Sequence, residues 1–304
     1  MNQLGDLLFS LPVLKTAGEE IGAKICSVVN PALAPILVSS KLIECAYDKK
    51  MPFLNLVRKI KKEEFSKAVL FSESPSSLLA AFLAGIGARY GFGTASMKFL
   101  LTNKVDRKGV PSLLNNHILG HSLGLKNIQP DYTGIIKIPE TNIQNVKKWF
   151  KDNGVNPKKV IAVSTGSSKK RQNKRLADSK WVEVIDSLSQ KGFECVLSGA
   201  KFEENDMSSL SSICKSRPKI FAAESILDSA AFLKEASLFT GIDSGAMHLA
   251  AAVGTKCVGV FGNTDPMQVG PMPLHKHIIV KKENISDVEA SDIVGKVLEA
   301  AGQI

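Results

Sequence analysis

Asp243, Ser244 and Gly245 stand between an apolar run, Leu238 to Ile242, and a run of small residues, Ala246 to Gly254. That order reads as strand, polar turn and helix, which puts the three residues at a helix start. The first N–H groups of a helix lack partners, and its dipole acts like roughly half a positive charge there, so the turn favours an anion. Gly245 lets the backbone come close to that anion. A second apolar run, Cys257 to Phe261, leads into a second polar turn, Gly262-Asn263-Thr264-Asp265-Pro266. In open α/β sheets ligands sit at the carboxyl ends of the strands. The chemistry expected is a phosphate-bearing ligand held between two adjacent βα turns.

Other residues could join that site. Lys169-Lys170-Arg171-Gln172-Asn173-Lys174-Arg175 holds five cations in seven residues. Charge alone fits a solvated loop. Its place between a strand and a helix also suits phosphate neutralisation, and Ser164-Thr165-Gly166-Ser167-Ser168 before it adds hydroxyls and backbone donors. The GxxxxGK(S/T) spacing of a P-loop is absent. His248 lies one turn into its helix, where it either packs in the core or reaches a ligand. Glu203 and Glu204 follow a strand and Gly199; they are surface carboxylates or partners for ribose hydroxyls. Asp6 opens the first helix, where it either stabilises the dipole or acts as a general base. His275 and His277 carry no assigned role.

Alternating strands and helices position these groups. Strands are expected at Lys24 to Val29, Ala68 to Phe71, Ala88 to Gly93, Val160 to Val163, Phe193 to Leu197, Leu238 to Ile242 and Cys257 to Phe261. Helices are expected at Leu7 to Glu20, Ser76 to Ala84, Leu113 to Leu123, Thr141 to Asp152 and Ile285 to Ala300. Another starts at Asp178 as its cap and carries Trp181, Val184, Ile185 and Leu188. Pro12 is expected at a kink or near a first turn. Ser225 to Asp228 has the form of a capping box. Asn153 to Lys159 is polar and marks a boundary between domains 1–153 and 154–304. The fold class is α/β, two doubly wound Rossmann-like domains facing a cleft.

Composition narrows the function. The 304 residues are 44% hydrophobic and 22% charged, as in a soluble globular protein. A net charge of +10 suits nucleic acid, an anionic membrane or a phosphorylated substrate. Aromatics are only 6%, and no basic run is interleaved with them, which argues against nucleic acid. Cys26, Cys45, Cys195, Cys214 and Cys257 show no metal spacing and are expected as free thiols in a reducing compartment. No apolar run approaches the ~18 residues of a membrane span, and no signal peptide is expected, since the first residues lack a basic region followed by an apolar stretch. A cytoplasmic location is expected.

These residues together resemble glycosyltransferase family 9, the ADP-heptose:lipopolysaccharide heptosyltransferases. Asp243 to Pro271 is similar to the family's D-S/T-G-x-x-H-L/I-x-A-A, followed by F-G-x-T-D-P and a later G-P. Gly5-Asp6 with Pro12 is similar to G-D-x-x-x-x-x-P. Lys174 before Trp181, and Gly199 with Glu203, match two further segments. The resemblance implies a GT-B fold with the active site between two Rossmann-like domains, the first binding acceptor and the second nucleotide sugar. It implies that Ser244, Gly245 and Ala246 donate N–H groups to the diphosphate of ADP-heptose, that Lys174 neutralises it, and that Glu203 holds the ribose. Ser164, Thr165, Asp243, His248, Thr264 and Asp265 complete the substrate-binding set. Asp6 becomes the base for an inverting transfer, with no metal or cofactor. The acceptor is Kdo-lipid A or a heptosylated core, at an anionic membrane surface.

Four features depart from the family. A strand normally precedes the G-D turn, but only Met1 to Leu4 precede Gly5 here, too few to form one. The start is therefore expected downstream of the natural one, or the chain is a shortened copy, and the first sheet lacks its central strand. Leu176 replaces a Trp, the loop from Gly166 to Lys174 is long and basic, and Asn263 stands where Pro is common. A member that only binds nucleotide sugar is the alternative. An oxidoreductase is disfavoured because no G-x-G-x-x-G follows a strand near the start.

Overall fold

The computed structural model describes residues 3–22, 24–166 and 174–302. The chain forms two compact units, Met1–Tyr132 and Thr133–Ile304.

In the first unit the elements run α1 (Leu4–Ile21), β1 (Cys26–Val29), α2 (Ala34–Ser39), β2 (Cys45–Asp48), α3 (Phe53–Lys62), β3 (Lys67–Leu70), α4 (Pro75–Leu83), β4 (Ala88–Phe92), β5 (Asn103–Val105) and α5 (Ser112–Ser122). The strands described form two separate parallel sheets, β1–β2 and β3–β4–β5. Helix α1 buries Leu7, Leu8 and Leu11 and packs on α5. Pro12 lies inside α1, past its first turn. Proline cannot donate to the carbonyl four residues back. Beside that break, the Asn116 side-chain amide donates to the Phe9 carbonyl at 3.0 Å.

Two of the five cysteines are not free. The parallel register sets Cys26 opposite Cys45, with Cα atoms 4.7 Å apart, and a disulfide joins them. Their spacing of 19 residues hides a contact that only strand pairing creates. Cys195, Cys214 and Cys257 are buried thiols, as expected. Burial pushes Cys195 up to about 12 and Cys214 up to about 11.

In the second unit the elements are α6 (Glu140–Asp152), β6 (Val160–Ser164), α7 (Asp178–Gln190), β7 (Glu194–Ala200), α8 (Glu204–Ile213), β8 (Lys219–Ala223), α9 (Ile226–Glu235), β9 (Leu238–Ile242), α10 (Gly245–Ala252), β10 (Cys257–Phe261), α11 (Pro266–Val269), β11 (Ile278–Lys281) and α12 (Ala290–Ala300). All six strands are parallel, in the order β11–β10–β9–β6–β7–β8. Counted within the unit, this is the Rossmann order, and its direction reverses between β6 and β9. Both strands are buried along their whole length, as their near-continuous apolar sequences require.

Several boundaries differ from the sequence reading. The expected division after Asn153 falls inside the second unit. Helix α6 belongs there because its Trp149 ring packs edge-on to Phe221 and Phe232 at 5.3 and 5.7 Å, and Phe150 stacks on Phe232 at 5.4 Å. Ala177, not Asp178, is the N-cap of α7; Asp178 is its first residue and pairs with Arg175 at 3.1 Å. Strand β7 continues through Gly199, which is in register with Ala222 of β8. The last helix begins only at Ala290, where Asp292 accepts from the Glu289 N–H at 3.0 Å; Ile285–Asp287 is a separate short turn. Ser225 and Asp228 form the expected capping box on α9.

Candidate functional site

The reversal of strand order opens a crevice above β6 and β9. Gly241 keeps these strands close: a Cβ there would stand 2.5 Å from the Ser164 carbonyl oxygen. Beyond β9, Asp243 donates its N–H to the Val260 carbonyl at 3.1 Å, which ties the turn to β10. Ser244 is the N-cap of α10, with extended backbone. Its hydroxyl does not cap the helix, and the buried oxygen has no hydrogen-bond partner among the described residues. Buried hydroxyls are nearly always paired, so this one is suited to a ligand.

Three chain segments meet at Asp243. Its carboxylate accepts from the Lys174 ammonium and, at 2.9 Å, from the Thr264 hydroxyl. Lys174 and Asp243 side chains are only 20% and 9% exposed, so solvent screens the pair weakly. A cation is thereby anchored beside a helix start that already favours anions. The structure brings Lys174, Asp243 and Thr264 together beside Ser244 and Gly245 at the start of α10.

A second group lies alongside. Ser164, Thr165 and Glu203 line one open pocket with Gly166 and Arg175. Gly166 links the groups, since a Cβ on it would stand 3.6 Å from the Ser244 Cβ. One Glu203 oxygen, Oε2, accepts from the Ala200 N–H at 2.8 Å, and Gly199 leaves it room. Arg175, the last cation of the expected basic run, also lines the pocket, as do Ser198, Asp206 and Met207, which were not singled out from sequence. Their only signal was position after a strand end. Asp265 is exposed and caps α11 through its Oδ1, which accepts from the Met267 N–H at 2.9 Å. Leu176, the departure beside Lys174, is a core residue in one cluster with Trp181. Ser167, Ser168, Lys169, Lys170, Arg171, Gln172 and Asn173 lie outside the described residues. Asp6, in the first unit, is exposed in the first turn of α1.

His248 is buried in α10. Burial pushes its ring down to about 4; Asp243 opposes this, while Lys174 and His277 add to it. His277 accepts from the Cys257 N–H through Nδ1 at 3.2 Å, a link the sequence did not suggest. His117, buried in α5, is also pushed down to about 4 by burial. Both rings stay neutral in the folded chain but protonate in the unfolded one as pH falls below the ordinary value of 6.5. The unfolded state then binds more protons, so their contribution is complete above 6.5 and is lost as pH falls toward about 4. Thermal melts are expected to show Tm dropping across that window, with a shallower drop for His117→Gln. Equal slopes in both proteins would contradict the burial argument.

Comparison with known proteins adds to this geometry. A family model described as "Glycosyltransferase family 9 (heptosyltransferase)" matches residues 53–298. The chain is similar to lipopolysaccharide heptosyltransferase 3 of Escherichia coli (strain K12), 24% identical over 331 residues, covering 97% of this chain and 94% of the relative. Its fold is shared by a glycosyl transferase family 9 structure from Veillonella parvula DSM 2008, with a TM-score of 0.85, 16% identity, and 99% and 95% of the two chains covered. E. coli heptosyltransferase WaaC with ADP gives a TM-score of 0.76 at 21% identity, covering 99% of this chain and 100% of that one.

Proposed function

The chain belongs to glycosyltransferase family 9, the heptosyltransferases, and from that premise we propose that it moves heptose from ADP-heptose to the inner core of lipopolysaccharide, with inversion at the anomeric carbon. The observation that carries this reading is the Lys174 ammonium anchored by Asp243, next to the Ser244 hydroxyl that has no hydrogen-bond partner among the described residues. A diphosphate fits there. Its oxygens accept from the N–H groups of Ser244, Gly245 and Ala246 and from the Ser244 hydroxyl, while Lys174 turns from Asp243 to the phosphate. Ser164 and Thr165 flank the nucleotide, and the second oxygen of Glu203 takes the ribose hydroxyls. Neutral His248 supports the turn without adding charge.

Asp6 removes the proton from the acceptor hydroxyl as that oxygen attacks the anomeric carbon from the face opposite ADP. The bond from that carbon to the β-phosphate oxygen breaks, and ADP leaves with the electron pair. Lys174 and the start of α10 stabilise the charge that develops, which is work a metal performs in other transferases. No cofactor is needed. The acceptor is Kdo-lipid A or a heptosylated core, reached at the cytoplasmic face of the inner membrane. No described helix is long and apolar enough to cross a membrane.

Calorimetric titration of ADP and of ADP-heptose tests the reading. Saturable heat is expected with Kd between about 1 µM and 1 mM, the usual range for substrates. Folded protein with no affinity for either would overturn it. The divided first sheet favours one second reading, a family member that holds the nucleotide sugar without transferring it. Binding accompanied by no transfer to any Kdo-lipid A acceptor would select that alternative.

A further inference from the structure

Phe82 and Leu83, at the end of α4, are 44% and 46% exposed, and Phe99 is 71% exposed. Arg89, at the start of β4, brings these segments together. Its guanidinium carbon lies 5.4 Å from the centre of the Phe82 ring. Its Nε donates to the carbonyl of Leu100, the residue after Phe99, at 2.6 Å, and Nη1 donates to the Gly87 carbonyl at 3.2 Å. A ring and carbonyls therefore hold Arg89, and among the described residues no carboxylate pairs with it.

Along this stretch of the sequence charge is one-sided. Residues 74–105 contain no Asp or Glu and three cations, Arg89, Lys98 and Lys104. Lys98 and Lys104 are exposed, and neither forms an ion pair among the described residues. Large apolar side chains left in water mark a contact surface. Aromatic and leucine side chains beside unpaired cations suit the boundary between headgroups and acyl chains of an anionic membrane, since each basic residue there adds attraction. A shaped protein partner would call for a groove or charges of both signs, and the patch offers projecting side chains and one sign.

We propose that Phe82, Leu83, Phe99, Arg89, Lys98 and Lys104 form a surface that docks the protein on an anionic lipid bilayer. Phe82 and Leu83 precede β4, Arg89 lies at its start, Lys98 and Phe99 precede β5, and Lys104 lies within β5. The docking surface rests on the proposed lipid-linked acceptor for its purpose, but it is independent of the nucleotide site.

Sedimentation of the full chain with vesicles tests it. Wild type is expected to co-sediment with phosphatidylcholine vesicles containing phosphatidylglycerol, to stay in solution with phosphatidylcholine alone, and to be released by salt. Lys98→Glu with Lys104→Glu, and separately Phe82→Ser with Phe99→Ser, should each weaken partitioning at least about tenfold. A thermal melt of each variant, compared with wild type, serves as the folding control. Wild type that ignores anionic vesicles, binds both vesicle types equally, or is matched by the charge variant would overturn the proposal, as would retention only by an added protein. Loss of ADP binding in wild type counts against the nucleotide reading alone and leaves the vesicle result standing.

Discussion

Lys174→Ala is expected to lower kcat by ~10²–10³-fold, the usual loss when a placed group that meets developing charge is removed. The ammonium is held by Asp243, and Thr264 fixes that carboxylate at 2.9 Å. Without the lysine, the Asp243 carboxylate loses its ion-pair partner in a site where its side chain is 9% exposed. It then faces the donor diphosphate as a like charge, which weakens binding and opposes departure of ADP. The loss should therefore appear in KM for the donor as well as in kcat. Removing both charges is expected to hurt less than removing one. Lys174→Ala with Asp243→Asn should recover part of the lost kcat/KM, because the uncompensated carboxylate is gone. Steady-state transfer assays on the two single variants and the double variant measure this directly. A Lys174→Ala enzyme within about threefold of wild type would remove the lysine from the chemistry.

Three central strands of the second unit were legible because they are buried along their whole length, whereas the partly exposed β8 and β11 were not read. Val160 to Val163, Leu238 to Ile242 and Cys257 to Phe261 read as strands from apolar content alone, and the structure extends them by a residue at most. The turn at Ser244 was legible for the same reason, since a small-residue helix directly after such a strand leaves one place for the turn. What the sequence could not show depends on contacts between distant segments. The disulfide between Cys26 and Cys45 follows from the register of β1 on β2. The assignment of α6 to the second unit follows from Trp149 meeting Phe221 and Phe232. Helical periodicity shows that α6 has an apolar face but not which neighbour covers it. Likewise, the anchoring of Lys174 by Asp243 joins residues 69 positions apart. The charge run suggested a cation near phosphate, and only the fold singles out its holder.

Asp6→Ala is expected to lower turnover by ~10²–10⁴-fold, the range for loss of a general acid or base, while affinity for ADP stays at the wild-type value. The two readouts separate because Asp6 belongs to the first unit and the residues proposed to bind nucleotide belong to the second. A purely structural role makes a different prediction. Asp6 lies in the first turn of α1, where an acidic side chain stabilises the helix dipole by about 0.3–1 kcal/mol. If that were its whole contribution, Asp6→Ala would lower Tm by a few degrees and leave kcat close to wild type. Asp6→Asn sharpens the distinction, because the amide keeps the size and polarity of the side chain but cannot take a proton from the acceptor. As a base, Asp6 makes both variants nearly inactive while α1 remains anchored through Leu7, Leu8, Leu11 and the Asn116 bond to Phe9. Full turnover by Asp6→Asn, measured as heptose transfer to a Kdo-lipid A acceptor, would assign the carboxylate to the helix instead.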